Sequence, residues 1–165
     1  MSSRPPARRA SQSRDKVARL VVEFTARPGR DTISARECRR VLSAAAAELG
    51  VAAGRLSVLL TGDAEMAAIN GAMRGRMETT DVLSFPAGEP LPAPGSDRHL
   101  GDIVVSVETA SRQAGGAPVG REVLILLFHG LLHLLGYDHE SDRGEMMRLQ
   151  AALVRDLLPG RAPRR

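Results

Sequence analysis

The sequence predicts a single α+β domain, a mixed four-stranded sheet packed with about five helices. Three observations lead there. Short runs rich in Val, Leu and Ile, bounded by turn residues, mark strands. Longer segments repeat apolar residues at a 3.6-residue period and mark helices. Their order along the chain, β-α-β-α-β-β-α-α-α, begins as an alternation and ends in helices, which suits a sheet that is only partly parallel. At 165 residues the chain is long enough for one ordinary core. No internal repeat divides it.

The elements follow in order. Residues 1–17 form a basic tail with Pro5 and Pro6 and no apolar face, expected to be disordered, and the domain runs from 18 to 158. Ala18 to Phe24 is the first strand, and Arg27 to Asp31 a turn. Ser34 to Leu49 is a helix, with Cys38, Val41, Leu42 and Ala45 at helical spacing and Gly50 ending it. Arg55 to Leu60 is the second strand. Thr61 or Asp63 then caps a helix to about Met73, with Met66, Ile69 and Met73 on one face. Val82 to Phe85 is a short strand closed by Pro86, and Ala87 to Arg98 a Gly/Pro-rich loop. Ile103 to Val107 is the fourth strand, followed by a short helix from Glu108 to about Ala114. Val119 to Leu135 is a long buried helix. Asp142 to Leu158 is amphipathic through Met146, Leu149, Leu153 and Leu157. Residues 159–165 form a second basic tail.

Composition narrows the class. Hydrophobic residues make up 43% and aromatic residues 2%, so the core must be built from Leu, Val, Ile, Ala and Met. The longest apolar run, Val123 to Leu135, is too short to span a bilayer and contains two histidines. No secretory h-region is present, and one cysteine, Cys38, allows no internal disulfide, so a cytoplasmic location is expected. The positive charge sits at the ends. Residues 1–16 carry a net +4 and residues 161–165 a net +3 against a total of +4, which leaves the middle at −3. Such tails attract phosphate backbones without specificity or serve as solubilising ends. Only Lys16 of the 23 basic residues is lysine, which points to coding bias rather than selection for phosphate contacts.

The chemistry concentrates in His129-Gly-Leu-Leu-His133-Leu-Leu-Gly-Tyr-Asp-His139, an H-x-x-x-H-x-x-G-x-x-H pattern. On a helix, His129 and His133 project from one face, about 6 Å apart along the axis. Gly136 can take the left-handed conformation that ends the helix and turns the chain back, bringing His139 to the same point. Three neutral imidazoles and one open position describe a catalytic metal site, and so a metallohydrolase-like domain. Zinc, with one ion per chain, is the expected metal, although nickel is also suited to such ligands. Metallopeptidases of this spacing carry a general-base glutamate directly after the first histidine. Here that position is Gly130, which argues against a peptidase.

With TDVLSFP at 80–86 and LGDIVVS at 100–106, the histidine run resembles the YbeY family of bacterial endoribonucleases, over residues from about Leu20 to Leu158. The resemblance implies zinc held by His129, His133 and His139, and cleavage of single-stranded RNA. It also implies a role in 3′-end maturation of small-subunit ribosomal RNA and in ribosome quality control, with ribosomal RNA precursor and ribosome-associated factors as partners. The family's arginine lands on Arg74, while its tyrosine and aspartate neighbours are replaced by Met73 and Met77 and its proline by Thr79. On this reading a metal-bound water attacks the phosphodiester near His129, and Arg74 offsets phosphate charge with Arg76 as a weaker RNA contact. Asp81, Asp102 and Asp138 are candidates for orienting a ligand histidine through its second nitrogen. Tyr137 is expected to pack and His99 to lie on the surface. The competing hypothesis is a non-catalytic ribosome-assembly factor with a structural metal.

Overall fold

The computed structural model describes residues 19–51, 53–88 and 98–160. The N-terminal tail, the expected strand start Ala18, residues 89–97 of the Gly/Pro-rich loop and the C-terminal tail from residue 161 lie outside the described residues. Strands β1 (Leu20–Ala26), β2 (Gly54–Thr61), β3 (Val82–Pro86) and β4 (His99–Ser106) form one sheet in the order β1-β2-β4-β3. β1, β2 and β4 run parallel, and β3 pairs antiparallel to β4 at the edge. The helices are α1 (Ala35–Glu48), α2 (Asp63–Arg74), α3 (Val107–Gln113), α4 (Val119–Leu134) and α5 (Glu145–Leu157). The expected α+β class, mixed sheet and five helices are therefore all present.

Strand alternation assigns the two faces. Val22, Leu56, Val58, Leu60, Ile103 and Val105 point to one side, where Cys38, Val41 and Leu42 of α1 and Leu127, Phe128 and Leu131 of α4 complete the main core. On the other face α2 covers only the β3–β4 end, through Met66 against Leu83 and Val104. Phe128 is the one fully buried aromatic, and the rest of the core is aliphatic as the composition requires.

Several boundaries differ from expectation. β4 starts at His99 rather than Ile103, because Leu100 and Gly101 are buried and Arg55 pairs with His99. It also stops at Ser106, whose hydroxyl accepts the Thr109 N–H and caps α3, so Val107 is helical. The cap of α2 is Gly62 rather than Thr61 or Asp63. Its side-chain partner arrives from elsewhere: the Glu108 carboxylate on α3 accepts the Asp63 backbone N–H. The start of α5 also moves, from Asp142 to Glu145, where Asp142 accepts the N–H groups of Gly144 (2.7 Å) and Met146 (2.8 Å).

Candidate metal centre

α4 lies flush against the β3–β4 edge of the sheet, and a glycine allows it. A Cβ at Gly130 would fall 2.8 Å from Ile103 Cγ2 and 3.0 Å from Ser84 Oγ, closer than packed atoms tolerate. The Ser84 hydroxyl instead donates to the Gly130 carbonyl at 3.3 Å. With the helix seated this way, His129 and His133 face a cleft of about 660 Å³ beside the edge strand.

The helix then ends as the glycine predicts. Gly136 has φ +93°, its N–H bonds to the His133 carbonyl (3.0 Å), and the Tyr137 N–H bonds to the Leu132 carbonyl (3.1 Å). That pair of bonds is a Schellman turn. It brings His139 round to the other two histidines, and the three ring centroids stand 4.7, 5.2 and 5.4 Å apart. One ligand atom from each lies within 4.8 Å of the others.

The hydrogen bonds fix the tautomers. The His133 Nδ1–H donates to the Tyr137 carbonyl (3.0 Å), and the His129 Nδ1–H donates to Gln150 Oε1 on α5 (2.8 Å). Each ring therefore turns an unprotonated Nε2 inward, and these two atoms face each other at 3.1 Å. Two opposed lone pairs repel unless a cation or proton lies between them. The separation is close to the roughly 3.3–3.4 Å expected of two tetrahedral ligands with bonds of about 2.0–2.1 Å. Burial, with the neighbouring His129 next, pushes the His133 pKa down and favours the neutral form that a metal ligand needs. The donor set fits one divalent ion.

Arg74, Thr80, Asp81, Val82, Ser84, Asp138 and Glu140 line the same cleft. Arg74 ends α2, donates to the Ser84 carbonyl at 3.1 Å, and holds its guanidinium carbon 5.6 Å from the centre of the Phe85 ring. Asp81 is held by the Val82 N–H (2.7 Å) and by Gln113 Nε2 (3.1 Å). Asp138 accepts the Glu140 N–H (3.0 Å) and the Ser141 hydroxyl (2.9 Å), shaping the loop that carries His139. These bonds, the Glu140 amide foremost, hold its pKa below the usual carboxylate range. Neither aspartate makes a hydrogen bond to a ligand histidine. Asp102 is not brought to the centre: it pairs with His99 at 3.2 Å and lines a separate hollow with Glu23, Thr25 and Ser57. Arg76 is exposed and does not line the cleft. The second nitrogen of His129 is held by Gln150, not by Asp81, Asp102 or Asp138. The only sequence signal of Gln150 is its place at the polar edge of the amphipathic α5.

The cleft lining carries three carboxylates against one guanidinium, which alone would repel a phosphate. A dication on the three histidines removes that imbalance, a second reason the residues fit a metal.

Fold and site together define a class: an α+β domain with a histidine triad at a sheet edge, a glycine where a peptidase has glutamate, and an arginine across the cleft. The comparisons make the class specific. The sequence pattern of the family described as "Endoribonuclease YbeY" matches residues 29–158. A protein of that name from Anaeromyxobacter sp. (strain Fw109-5) is 44% identical over 140 residues, covering 82% of this chain and 71% of its own. One from Thermus thermophilus is 48% identical over 109 residues, 63% of this chain and 76% of its own. One from Nitrobacter hamburgensis is 35% identical over 173 residues, 93% of this chain and 90% of its own. The solution structure of a Thermotoga maritima protein, 24% identical, superposes with a TM-score of 0.57 over 84% of this chain and 88% of that one, a likeness of fold. The chain belongs to the YbeY endoribonuclease family.

Proposed function

We propose that this protein is a metal-dependent endoribonuclease that cleaves single-stranded RNA in the maturation of the small-subunit ribosomal RNA 3′ end, working with the ribosome and its associated factors. The observation that carries the proposal is the meeting of His129, His133, His139 and Arg74 in one cleft at the sheet edge. Family membership supports the RNA substrate. No helix among the described residues is long and apolar enough to cross a membrane.

His129, His133 and His139 would hold the ion, with zinc proposed and nickel also suited to three imidazoles. When bound, such an ion supplies a Lewis acid and a water of lowered pKa. Gln150 and the Tyr137 carbonyl keep two of the imidazoles in the ligating tautomer and fix their ring planes. Arg74 is steadied by the Ser84 carbonyl and the Phe85 ring, so its remaining donors meet a phosphate without first being ordered. Arg76, exposed beyond the cleft lining, offers a second charge to the RNA backbone. Asp81 and Asp138 brace the backbone around them at the cleft lining, and their charge keeps a phosphate near Arg74 and the metal rather than elsewhere along it.

Cleavage of a labelled single-stranded RNA by the purified protein tests this, beside His133→Ala and Arg74→Ala variants. The histidine variant should lose both metal and cleavage, and the arginine variant about 10²–10³ in kcat, the usual loss for one charge-stabilising donor. Equal cleavage by all three would point to a contaminating nuclease. Ribosome association retained by the His133 variant, with no turnover by the wild type, would favour an assembly factor instead.

A further inference from the structure

The histidine cleft is poorly charged for a polyanion, since three carboxylates and one guanidinium line it. A metal there offsets the imbalance at the reacting phosphate only. The other phosphates of a bound strand need positive charge elsewhere. At the carboxyl ends of the parallel strands the arginines are already paired: Arg27 with Glu65, Arg30 with Glu108 and Arg112 with Asp63.

The β1 edge of the sheet is different. A hollow of about 520 Å³ opens between β1 and α1, and Arg19, Arg39 and Arg40 line it with no carboxylate among the described residues. The rest of its lining is mainly apolar, with Val21, Ala47 and Val51. Positions 36, 39, 40, 43 and 47 share one face of α1, so Arg36 extends the arginine row by a turn. The acids of α1 lie on its other flank. Glu37 lines a hollow at the start of α4, and Glu48 lies near Arg155 of α5. Arg19, Arg36 and Arg40 are exposed and form no ion pair among the described residues. Residues 1–18, which lead into Arg19, bring no compensating charge: they hold five basic side chains against one acid, Asp15.

Arg39 decides between kinds of partner. Its Nε–H donates to the Val22 carbonyl at 3.1 Å, an edge-strand acceptor that a polypeptide adding to β1 as a new strand would need. Guanidiniums around an apolar lining suit a chain of phosphates and sugars instead. The hollow is also in line with the cleft. Val21 stands beside Arg55 of β2 in the register, and Arg55 beside His99 of β4. β4 is in turn paired with β3 through Gly101 and Pro86, and Pro86 lines the histidine cleft. From β1 to β3 is three strand spacings, roughly 14 Å, a span that several nucleotides cover.

We propose that the hollow between α1 and β1 is a second RNA site, where Arg19, Arg36, Arg39 and Arg40 hold backbone phosphates several nucleotides away from the bond cut in the histidine cleft. The inference rests on the endoribonuclease reading and adds how an acid-rich cleft retains a long strand. The site meets phosphate rather than base edges, so it contributes affinity without sequence preference. It acts only on RNA long enough to reach both places.

The test is an Arg19→Gln/Arg36→Gln/Arg40→Gln variant, which leaves the Arg39 bond to β1 in place. Anisotropy of a labelled single-stranded RNA of about 20 nucleotides should show binding about 10–100-fold weaker at about 0.1 M salt. On a single strand each phosphate contact adds about 0.7 to the slope of log affinity against log salt, so the slope should flatten by about 2. In cleavage assays KM on this RNA should rise with the loss of binding while kcat holds. A trinucleotide that fills only the histidine cleft should give the same KM with variant and wild type. Arg19→Lys/Arg36→Lys/Arg40→Lys should keep most of the affinity, since a lysine meets phosphate as a point charge. Equal binding of the long RNA by the glutamine variant and wild type, or equal losses on long and short RNA, overturns the proposal. So does a loss confined to polyglutamate, which would mark the hollow as a site for an acidic protein segment. Should wild type bind the long RNA and cleave none, the endoribonuclease reading falls, and the hollow is judged by the two binding measurements alone.

Discussion

Replacing Gly136 by alanine isolates the contribution of one backbone torsion to the metal centre. Gly136 has φ +93°, and a Cβ there would meet no heavy atom within 4 Å, so the substitution adds strain without a clash. A left-handed conformation costs an L-residue about 1–2 kcal/mol, and glycine-to-alanine changes at positive φ are net destabilising. At roughly 2–4 °C per kcal/mol for a chain of this size, the melting temperature should fall by about 2–8 °C in chelator. With zinc present the gap should widen. The strain can be relieved only by loosening the turn that presents His139 and the Tyr137 carbonyl bonded to His133. Weaker zinc binding then removes part of the stabilisation that a ligand lends to the folded state. Gly136→Asn should fall between the two, since asparagine tolerates this region better. Calorimetry in zinc and in chelator, with a zinc competition titration, reads both effects. An alanine variant that melts within about 1 °C of wild type and binds zinc equally would refute the argument that the turn depends on a positive φ.

Two further perturbations probe the surroundings. Gln150→Leu removes the acceptor of the His129 Nδ1–H and should weaken metal binding about 10–100-fold in chelator competition, whereas Gln150→Glu keeps the acceptor and should not. An unchanged dissociation constant for the leucine variant would show that Gln150 is merely adjacent. Glu65 is held down to about 2 by hydrogen bonds from Arg27 and Thr61, against an ordinary value of 4.5. A carboxylate lowered on folding stabilises above its unfolded pKa, and that stability is lost as pH falls through the folded one. Stability from this group should therefore drain away between about pH 4.5 and 2, and Glu65→Gln should flatten that part of a urea-midpoint profile. Because the pair is partly exposed, the contribution is screened and the effect modest.

Much of this architecture was legible because its causes are local. The helical stripe of α1, the Val-rich strands and the glycine after α4 each act within a few residues, and so do the spacings of His129, His133 and His139. The start of β4 was hidden because Leu100 and Gly101 follow a loop rich in glycine and proline, and only pairing with β2 makes them strand. The cap of α2 was hidden because Glu108, which accepts the Asp63 N–H, lies 45 residues further on. Gln150 was missed for the same reason: its contact with His129 crosses 21 residues and depends on Asp142 setting where α5 begins. Asp102 was a different case. Ile103 packs in the main core against α4, so strand alternation already places its neighbour on the other face, away from the histidines. Arg74 was reachable only through the family resemblance, since one loop arginine looks like any other until the fold sets it across a cleft.

Gly130 links the histidine pattern of the sequence to the seating of α4 on the sheet. In the sequence it is the absence of a peptidase's general base. In the structure it is a close contact of α4 with the sheet, with Ile103 and Ser84 standing where a side chain would begin. A glutamate there would drive its Cβ into the β3–β4 surface and lift the helix, so the position has no room for a base of any kind. The seating that excludes it also lowers His129 and His133 to the level of the edge strand, whose Ser84 carbonyl steadies Arg74. A site built this way gives up a proton carrier beside the first histidine and gains a fixed cation across the cleft. That exchange suits a substrate whose reacting group is an anion better than one whose reacting group is a neutral amide.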